Sequence, residues 1–334
     1  MKSSTPANLP PVLERLGELI GPDLERTNAI ILEQLNSQVE LIPKLGAHII
    51  ESGGKRLRPV LTLLSAKLFG YTGNDDALLA AVVEFIHTAT LLHDDVVDRS
   101  DTRRGRATAN SVWGSKAPIL VGDYLFSRSF QILVAHADLS VLRIIADACA
   151  VISEGEVMQL VATNDLATSE EHYLEVVRRK TATLFAAAAQ IGAVLNHRSR
   201  AEEEALARYG ILLGTAYQLV DDALDYSATN EALGKNVGDD FQEGKITLPV
   251  IHAHRHGSPE ERQFWSNCLE HKNFPDGALQ RAIQLIRERG SLDYAMQRAQ
   301  AFAVEAKGCL GLLPDTPERE AMSMLADFSV ARSY

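Results

Sequence analysis

The chain has 334 residues, of which 46% are hydrophobic, and its 33 basic residues are outnumbered by 44 acidic ones, for a net charge of −11. This acidity argues against nucleic acid as a partner, while the apolar fraction is ample for a buried core. No linker rich in proline, glycine or serine divides the sequence. We therefore expect one large domain over residues 1–334, with residues 1–20 as a flexible or loosely packed N-terminal segment.

The cysteines and the N-terminal residues bear on location. Cys149, Cys268 and Cys309 are odd in number and lack metal-ligand spacing, which fits a reducing cytoplasm. The first twenty residues have neither the apolar core of a signal peptide nor the arginines of an organellar presequence. The apolar run ALLAAVVEFIHTATLLH is interrupted by Glu84 and two histidines. We expect a cytoplasmic protein without a transmembrane segment, and contact with a membrane surface stays open.

Helical periodicity dominates the sequence from the N-terminus onward. It runs through VLERLGELI, LERTNAIILEQLNSQVELIPKLGAHIIES, RLRPVLTLLSAKLFG and DALLAAVVEFIHTATLLHDD, and continues to AMSMLADFSVARSY. Turn signals separate the runs, among them YTGNDD, RRGRATANS, SATNEALGKNVGDDFQEGK and HGSPEE. Because alternating β patterns are scarce and many runs are strongly apolar, we expect an all-α fold, a large bundle whose central helices are buried by an outer layer.

Two clusters share the spacing D-D-x-x-D: Asp94, Asp95 and Asp98 in the first, and Asp221, Asp222 and Asp225 in the second. On a helix, positions i and i+4 share a face, so each cluster contains a pair of mutually repelling carboxylates. Each also follows an apolar run and lies late in a predicted helix, where the helix dipole disfavours acidic groups. Carboxylate oxygens suit Mg²⁺ that bridges to substrate phosphates. For either cluster alone, a solvated acidic helix end is the alternative.

Basic residues gather in the predicted loops: Lys55, Arg56 and Arg58 in GGKRLRP, Arg103 and Arg104 in RRG, Lys180 beside Thr181, and Lys235 and Lys245 around Asp240. A single basic pair is usually solvated surface. Several of them, in an acidic protein with two metal-type carboxylate clusters, indicate a site for two polyanions. Metal ions would neutralise one diphosphate and cationic side chains the other.

The motifs GGKRLRP, LLHDDVVDRSDTRRG, KTATLF, YQLVDDALDY and GKNVGDDFQEGK, in this order and spacing, resemble the trans-isoprenyl diphosphate synthases. The resemblance implies the isoprenoid synthase fold with a deep active-site cavity, a homodimer, and Mg²⁺-dependent condensation of isopentenyl diphosphate onto an allylic diphosphate. Allylic C–O bonds ionise readily once the charge of the leaving diphosphate is cancelled. Metal ions and cationic side chains can therefore supply most of the catalysis without a protein nucleophile.

The resemblance also implies roles for individual residues. It implies a metal site that holds three Mg²⁺ ions. The direct ligands would be Asp94, Asp98 and Asp221, and the supporting carboxylates Asp95, Asp222 and Asp225. Contacts with the allylic diphosphate are implied for Arg103, Lys180, Gln218 and Lys235, and closure over it for the loop residues Asp240 and Lys245. The pocket for isopentenyl diphosphate corresponds to Lys55, Arg58, His87 and Arg104. Thr181 and Gln218 resemble oxygen acceptors that steady a developing allylic cation.

The length of the product depends on the helix that ends at Asp94. In relatives with short products, an aromatic residue four or five positions before the first aspartate blocks the growing chain, whereas Thr90 and Ala89 occupy these positions here. Further aliphatic residues follow down the same face: Ile86, Val83 and Ala80. Phe126 or Phe130 could close the lower end. We expect a long, C40–C50 product of the kind used for quinone side chains, grown from farnesyl or geranylgeranyl diphosphate. Alternatively, these small residues only allow neighbouring helices to pack closely.

Three other functions are alternatives. A geranylgeranyl or other short-chain diphosphate synthase shares the motifs, whereas a terpene cyclase normally replaces the second aspartate cluster and lacks the GGKRLRP pocket. A catalytically silent partner subunit would have lost aspartates, and this chain keeps all six.

No other catalytic pattern competes with the aspartates. The sequence has no G-x-S-x-G, no H-E-x-x-H and no Cys/His pair that would indicate covalent or zinc chemistry. His252, His254 and His256 of IHAHRHGS alternate as ligands on a strand would, but the segment has a helical pattern and ends in a turn. We expect a surface helix end there rather than a metal site.

Overall fold

The structure, a computed structural model, describes residues 11–51, 55–103, 105–227 and 237–331. Most of this part of the chain is helical, which confirms the predicted all-α class. Its α-helices are α1 (Pro11–Gln34), α2 (Leu41–Glu51), α3 (Leu57–Leu68), α4 (Asp75–Val97), α5 (Ala109–Trp113), α6 (Lys116–His136), α7 (Leu139–Ala162), α8 (Glu170–Val177), α9 (Thr183–Leu195), α10 (Arg200–Asp225), α11 (Asp239–Glu243), α12 (Leu248–Arg255), α13 (Pro259–Trp265), α14 (Ala278–Glu288), α15 (Ser291–Cys309) and α16 (Pro317–Val330). In the described residues the only sheet is an antiparallel pair, β1 (Thr102–Arg103) and β2 (Arg106–Ala107).

Several helices begin where the sequence supplies a capping side chain. Ser199 and Glu202 form a capping box at the start of α10. The Asp138 carboxylate accepts hydrogen bonds from the backbone N–H groups of Ser140 and Val141 at the start of α7. These caps define the first turns of two helices that carry residues of the candidate site.

Helices α3, α4, α9 and α10 form the centre of the bundle, and glycines let them approach closely. A Cβ atom added at Gly192 of α9 would lie 2.2 Å from Ser65 Oγ of α3. One added at Gly210 of α10 would lie 2.5 Å from the Cα atom of Ala186 in α9. Packing this tight has no space for a larger residue, so α9 is fixed between α3 and α10.

The buried apolar side chains form two clusters. The larger one includes residues of α3, α4, α6 and α9, and the smaller one includes residues of α12, α14 and α15. Helix α10 contributes to both, with Leu213 in the larger cluster and Ala216 in the smaller one, and Phe302 packs against both. A core that is shared in this way supports the prediction of a single domain.

The N-terminal helix corrects one expectation. Residues 11–20 form the first turns of α1 and bury Val12, Leu16 and Ile20 in the larger cluster. These three residues are spaced four apart, so they form one apolar stripe on the helix. The prediction of a flexible or loosely packed segment is therefore wrong for residues 11–20, because this stripe anchors them; residues 1–10 lie outside the described residues.

One helix of the described residues, α4, is long and apolar enough to cross a membrane by length and composition alone. Of its most apolar stretch, 72% is buried inside the protein. A helix at the centre of a bundle needs apolar residues on all sides, so its place in the core accounts for this composition.

Candidate active site

The two aspartate clusters lie at the C-terminal ends of α4 and α10, and the structure divides their six carboxylates into two sets. Three are partly exposed: Asp94, Asp98 and Asp221. Three are buried, each with 5% exposure: Asp95, Asp222 and Asp225. The division coincides with the one that the resemblance implies between direct ligands and supporting positions.

Two of the buried carboxylates hold neighbouring loops. Asp95 Oδ1 lies 2.8 Å from both Nε and Nη2 of Arg103, which attaches the β1–β2 hairpin to the end of α4. Asp225 Oδ2 accepts a hydrogen bond from the backbone N–H of Asp240 at 3.1 Å, which attaches α11 to the end of α10. Since a buried carboxylate is stable only with such partners, these contacts account for the burial.

Asp222 lies in a chain of hydrogen bonds that links α8 to α10. Its Oδ2 accepts from the Tyr173 hydroxyl and its Oδ1 from Gln218 Nε2, both at 2.6 Å. Gln218 Oε1 in turn accepts from the Thr181 hydroxyl at 3.0 Å. Burial and the charge of Asp240 raise the pKa of Asp222 to about 7, against the lowering effect of its two hydrogen bonds.

Charges of both clusters act on Arg103. Burial lowers the pKa of this guanidinium, but the charges of Asp95, Asp94 and Asp221 outweigh burial, so the pKa lies above its ordinary value. Burial also raises the pKa of Asp95, and the charge of Arg103 opposes that shift. The geometry agrees: Lys180 Nζ lies 3.5 Å from Asp94 Oδ2 of α4, and the next residue, Thr181, donates to Gln218 of α10 at 3.0 Å, so the ends of the two helices lie close together.

Two lysines reach the first cluster from different parts of the chain. Lys180 Nζ lies 3.5 Å from Asp94 Oδ2, and Lys245 Nζ donates a hydrogen bond to Asp98 Oδ2 at 2.7 Å. Burial lowers the pKa of Lys245, but nearby carboxylates, Asp240 first among them, raise it well above its ordinary value. Both side chains can therefore supply positive charge next to the open carboxylates.

Two side chains of α7 hold Lys180 from the other side. Its ammonium group donates to Glu156 Oε2 at 2.6 Å and to Gln159 Oε1 at 2.8 Å. Burial and the charge of Asp94 raise the pKa of Glu156 to about 7, and Lys180 opposes this shift. Lys180 thus bridges α7 and the first aspartate cluster.

Lys180 and Thr181 belong to a π-helical turn, Arg178–Ala182, between α8 and α9. A π-helical turn changes the direction of successive side chains relative to a regular α-helix, and here the two neighbours reach α4 and α10 respectively. Glycines pack against the turn on two sides. A Cβ atom at Gly155 would lie 2.5 Å from Lys180 N, and one at Gly214 would lie 2.7 Å from a Cα atom of the turn.

Gly155→Ala is expected to displace this turn and to lower both stability and turnover. The new methyl group would meet backbone atoms that cannot rotate away, and such overpacking costs about 1–3 kcal/mol. Gly17→Ala in α1, where a Cβ atom meets nothing within 4 Å, is the matched control. It should keep wild-type turnover and unfold at the same or a higher temperature, because alanine favours helix over glycine by about 1 kcal/mol. Thermal unfolding and initial rates measure both effects, and equal behaviour of the two variants would contradict the tight packing.

The side chains predicted for the second diphosphate lie on α4 and around the start of α3. The guanidinium carbon of Arg58 is 4.3 Å from the centroid of the Phe185 ring. Lys55 Nζ is 4.9 Å from the centroid of the Phe328 ring in α16. His87 is partly buried on α4, two turns before the first cluster.

Arg56, the remaining basic residue of GGKRLRP, has no predicted role in this pocket. Arg56 forms an ion pair with Glu84 of α4, which fixes the start of α3 on the centre of the bundle. Arg104 of the second pocket and Lys235 of the allylic pocket lie outside the described residues, so their predicted contacts stay predictions.

The residues predicted to set product length form part of α4. Ala89, Ile86 and Val83 have 0% exposure and belong to the larger core cluster. Thr90 is partly buried, and its hydroxyl donates to the carbonyl oxygen of His87 at 2.8 Å. In the three turns of α4 that precede the aspartates, these side chains are therefore small or aliphatic.

Helix α6 packs along α4. Its Phe126 ring stacks on His93 with 6.1 Å between ring centroids, and Phe130 packs partly buried against the larger cluster. A Cβ atom at Gly122 of α6 would lie 2.3 Å from His93 Nε2. Because His93 adjoins Asp94, Phe126 lies at the aspartate end of α4 and not at its lower end. Closure of the lower end therefore stays a prediction for Phe130 alone.

The three histidines of IHAHRHGS lie at the end of α12 and just after it. His252 Nδ1 is 3.0 Å from Ser291 Oγ, and its ring stacks on Tyr294 with 4.4 Å between centroids. Burial, and then the charge of His256, lowers the pKa of His252. In the described ranges, no group of three or more His, Cys, Asp or Glu side chains is arranged to hold a metal ion by itself.

Four side chains of the site were missed by sequence reasoning: Glu156, Gln159, Tyr173 and Glu243. Glu156 and Gln159 are three residues apart in the otherwise apolar stretch GEVMQL, a helical spacing that could have indicated a polar pair on one face. Tyr173 gave no such signal, since its partner Asp222 is 49 residues away in the sequence. Glu243 pairs with Lys245 at 2.6 Å, two residues away, and its Oε1 also accepts a hydrogen bond from the Ser100 hydroxyl, 143 residues away.

Comparisons with known proteins agree with this geometry. A family model described as polyprenyl synthetase matches residues 39–286, more than half of the chain. The octaprenyl diphosphate synthase of Escherichia coli (strain K12) is 49% identical over 320 residues, 96% of this chain and 99% of that protein. A polyprenyl synthase from Caulobacter crescentus, solved in complex with calcium and isoprenyl diphosphate, has a TM-score of 0.93 at 46% identity, over 98% of this chain and 99% of that one. A decaprenyl diphosphate synthase from Rhodobacter capsulatus has a TM-score of 0.90 at 47% identity, over 95% and 98%.

The helical bundle and its paired carboxylate clusters are those of a prenyltransferase with the isoprenoid synthase fold. The chain belongs to the polyprenyl synthetase family. The resemblance inferred from the five motifs is thereby confirmed.

Proposed function

We propose that the protein is a long-chain all-trans polyprenyl diphosphate synthase. It condenses isopentenyl diphosphate repeatedly onto an allylic diphosphate, farnesyl or geranylgeranyl diphosphate, to a C40–C50 product for a quinone side chain. The observation that carries the proposal is a charged site at the C-terminal end of the apolar helix α4, where the Asp94 carboxylate lies beside Lys180 and that of Asp98 beside Lys245. The relatives named octaprenyl and decaprenyl diphosphate synthases support the long product.

The open carboxylates fit Mg²⁺. Asp94 and Asp98 are one helical turn apart at the end of α4, and Asp221 comes from α10. Mg²⁺ is usually held by one or two carboxylates together with substrate phosphates and water, so an all-protein cage is not required. When bound, the ions supply positive charge that cancels that of the leaving diphosphate. We assign these three aspartates as direct ligands, and three ions to the complex with substrate.

The remaining side chains bind and orient the allylic substrate. Three separate parts of the chain bring positive charge to the site, through Arg103, Lys180 and Lys245. Positive charge binds the diphosphate and stabilises the negative charge that develops on it as the C–O bond breaks. Thr181 follows Lys180 in the chain and donates to Gln218. In the proposal, the Thr181 hydroxyl oxygen and the Gln218 carbonyl oxygen face the allylic cation and stabilise it. The double bond of isopentenyl diphosphate attacks that cation, and the departing diphosphate is the proposed acceptor of the proton that is then lost.

Arg58→Ala and Lys180→Ala are expected to separate the two diphosphate sites. A charge-assisted hydrogen bond contributes about 1.5–3 kcal/mol, so Arg58→Ala should raise the KM for isopentenyl diphosphate about tenfold or more. The allylic KM should change little. Lys180→Ala should instead lower kcat and raise the allylic KM, because Lys180 lies beside Asp94. Initial rates with each substrate varied in turn give the four constants.

Arg200→Ala serves as the control for these variants. The Arg200 side chain is 90% exposed at the start of α10 and pairs only with Glu204 among the ion pairs of the described residues. Both KM values should stay at their wild-type levels in this variant. An Arg58→Ala variant with a raised allylic KM and an unchanged isopentenyl KM would show that the two sites are assigned the wrong way round.

A homodimer is proposed from the family resemblance, and the surface of α7 offers a contact for it. Val157, Leu160 and Val161 form an apolar stripe with 61%, 63% and 76% exposure. Apolar stripes left in water commonly mark contact surfaces. A second copy of this chain is the proposed occupant, so analytical ultracentrifugation should give a species of twice the chain mass, and a monomer at micromolar concentration would contradict this.

The predicted cytoplasmic location stays a proposal. It is supported by Cys149, Cys268 and Cys309, all of which are free thiols in the structure. A polyprenyl diphosphate has one charged end and a long apolar tail, so release of the product at a membrane surface fits this location.

A further inference from the structure

We propose that Tyr173 is a positioning residue for the condensation: through Asp222 it holds the side-chain amide of Gln218 with the carbonyl oxygen toward Thr181. This inference rests on the proposed function, in which Gln218 and Thr181 face the allylic cation. None of the five motifs contains Tyr173.

The contact between Tyr173 and Asp222 has the geometry of a strong hydrogen bond. At 2.6 Å, the distance from the hydroxyl oxygen to Asp222 Oδ2 is in the range of charge-assisted O–H···O⁻ bonds. Both residues have 5% exposure, so water does not compete for either group. The ring of Tyr173 belongs to the smaller core cluster, with Leu219 and Val220 of α10. The hydroxyl is therefore held in place by packing as well as by its bond.

The second oxygen of Asp222 determines which way the Gln218 amide points. When Asp222 is ionised, both of its oxygens can only accept, so the group 2.6 Å from Oδ1 is then the NH₂ of Gln218. With its NH₂ engaged there, Gln218 presents its carbonyl oxygen to the Thr181 hydroxyl at 3.0 Å. The flipped amide would set two acceptor oxygens 2.6 Å apart inside a buried site, which is unfavourable.

This orientation matters for a reaction that develops positive charge. A carbonyl oxygen carries partial negative charge and stabilises a nearby carbocation, whereas an NH₂ group in its place carries partial positive charge and destabilises it. The same geometry makes the Thr181 hydroxyl a donor to Gln218, so its lone pairs remain available on the other side. Tyr173 therefore acts at a distance, by keeping Asp222 aligned with the amide that it orients.

Tyr173→Phe removes the hydroxyl and keeps the packed ring. Loss of the alignment should lower kcat about tenfold or more, since small errors of geometry at a reacting centre have effects of this size. The KM for isopentenyl diphosphate should change less than about twofold, because no contact with that substrate is altered. In a Gln218→Ala background, Tyr173→Phe should lower kcat by less than about a further twofold, because residues that act through one another are not additive.

Tyr209→Phe is the matched control. Tyr209 is a fully buried tyrosine of α10. Its hydroxyl donates to the Met322 carbonyl oxygen at 2.8 Å. The control loses a comparable buried hydrogen bond but alters no residue of the candidate active site. Its kcat should therefore match wild type even if its unfolding temperature falls. Equal kcat values for the two variants, or full additivity with Gln218→Ala, would overturn the inference. A wild type without prenyl transfer would instead overturn the proposed function.

Asp222→Asn provides a second variant that keeps the side-chain volume. Its oxygen can still accept from Tyr173, which turns the new NH₂ toward Gln218 and forces the Gln218 amide to flip. We expect a larger loss of kcat than for Tyr173→Phe, while the half-saturating Mg²⁺ concentration stays within about threefold of wild type. A tenfold or greater rise in the Mg²⁺ requirement would make Asp222 a metal ligand and overturn the positioning role.

Discussion

Asp94→Ala is expected to lower kcat about a thousandfold or more and to leave the fold nearly intact. The carboxylate is partly exposed, and the proposal places it in direct contact with Mg²⁺. Its only partner at short range in the described residues is Lys180, which keeps its hydrogen bonds to Glu156 and Gln159 when Asp94 is removed. Circular dichroism and thermal unfolding should therefore resemble wild type, while turnover at saturating substrates is lost.

Asp147→Ala is the control for this variant, because Asp147 is an exposed aspartate of α7. It should retain wild-type turnover. Asp98→Ala and Asp221→Ala should behave like Asp94→Ala. Turnover of Asp94→Ala within tenfold of wild type, or wild-type rates in excess chelator, would contradict the metal site.

Ala89→Phe is expected to shorten the product while condensation continues. Ala89 is fully buried on α4, five positions before the first aspartate, so a phenyl ring there enters the proposed path of the tail. The bundle cannot relieve the added volume easily, and overpacking of a core costs about 1–3 kcal/mol. The diphosphate contacts are untouched, so the first condensations should proceed. Chromatography of the dephosphorylated products should show chains that stop near C15 to C20.

Val97→Phe is the control for Ala89→Phe. Val97 lies at the end of the same helix with 64% exposure, so a ring there stays outside the core. This variant should make the wild-type product. A full-length product from Ala89→Phe would mean that the tail leaves along another face of α4.

The sequence was sufficient for the fold and for the first aspartate cluster. Periodicity and apolar content identified the helices, and the i, i+4 spacing put Asp94 and Asp98 on one face, where the structure shows both partly exposed. The same spacing was misleading for the second cluster. There Asp221 is open, whereas Asp225 is buried and bonds to the backbone N–H of Asp240. Spacing gives the face of a helix but not what packs on that face.

The long-range contacts of the site could not be predicted from the sequence. Lys245 and Asp98 are 147 residues apart, and Tyr173 and Asp222 are 49 apart. Neither pair is marked by local periodicity, because the first depends on how the segment between α11 and α12 packs on the end of α4, and the second on how α8 packs on α10. The resemblance placed Lys245 in a closing loop but indicated neither its contact with Asp98 nor any role for Tyr173.

The size of the wild-type product tests the account most directly. Purified protein incubated with farnesyl diphosphate, excess labelled isopentenyl diphosphate and Mg²⁺ should yield an all-trans polyprenyl diphosphate of C40–C50 as the main product, measured by mass spectrometry. That result follows from the small side chains of Ala89 and Thr90, which stand where short-product relatives carry an aromatic residue, and from the aliphatic residues that precede them on α4. A main product of C20 or shorter under the same conditions would contradict it.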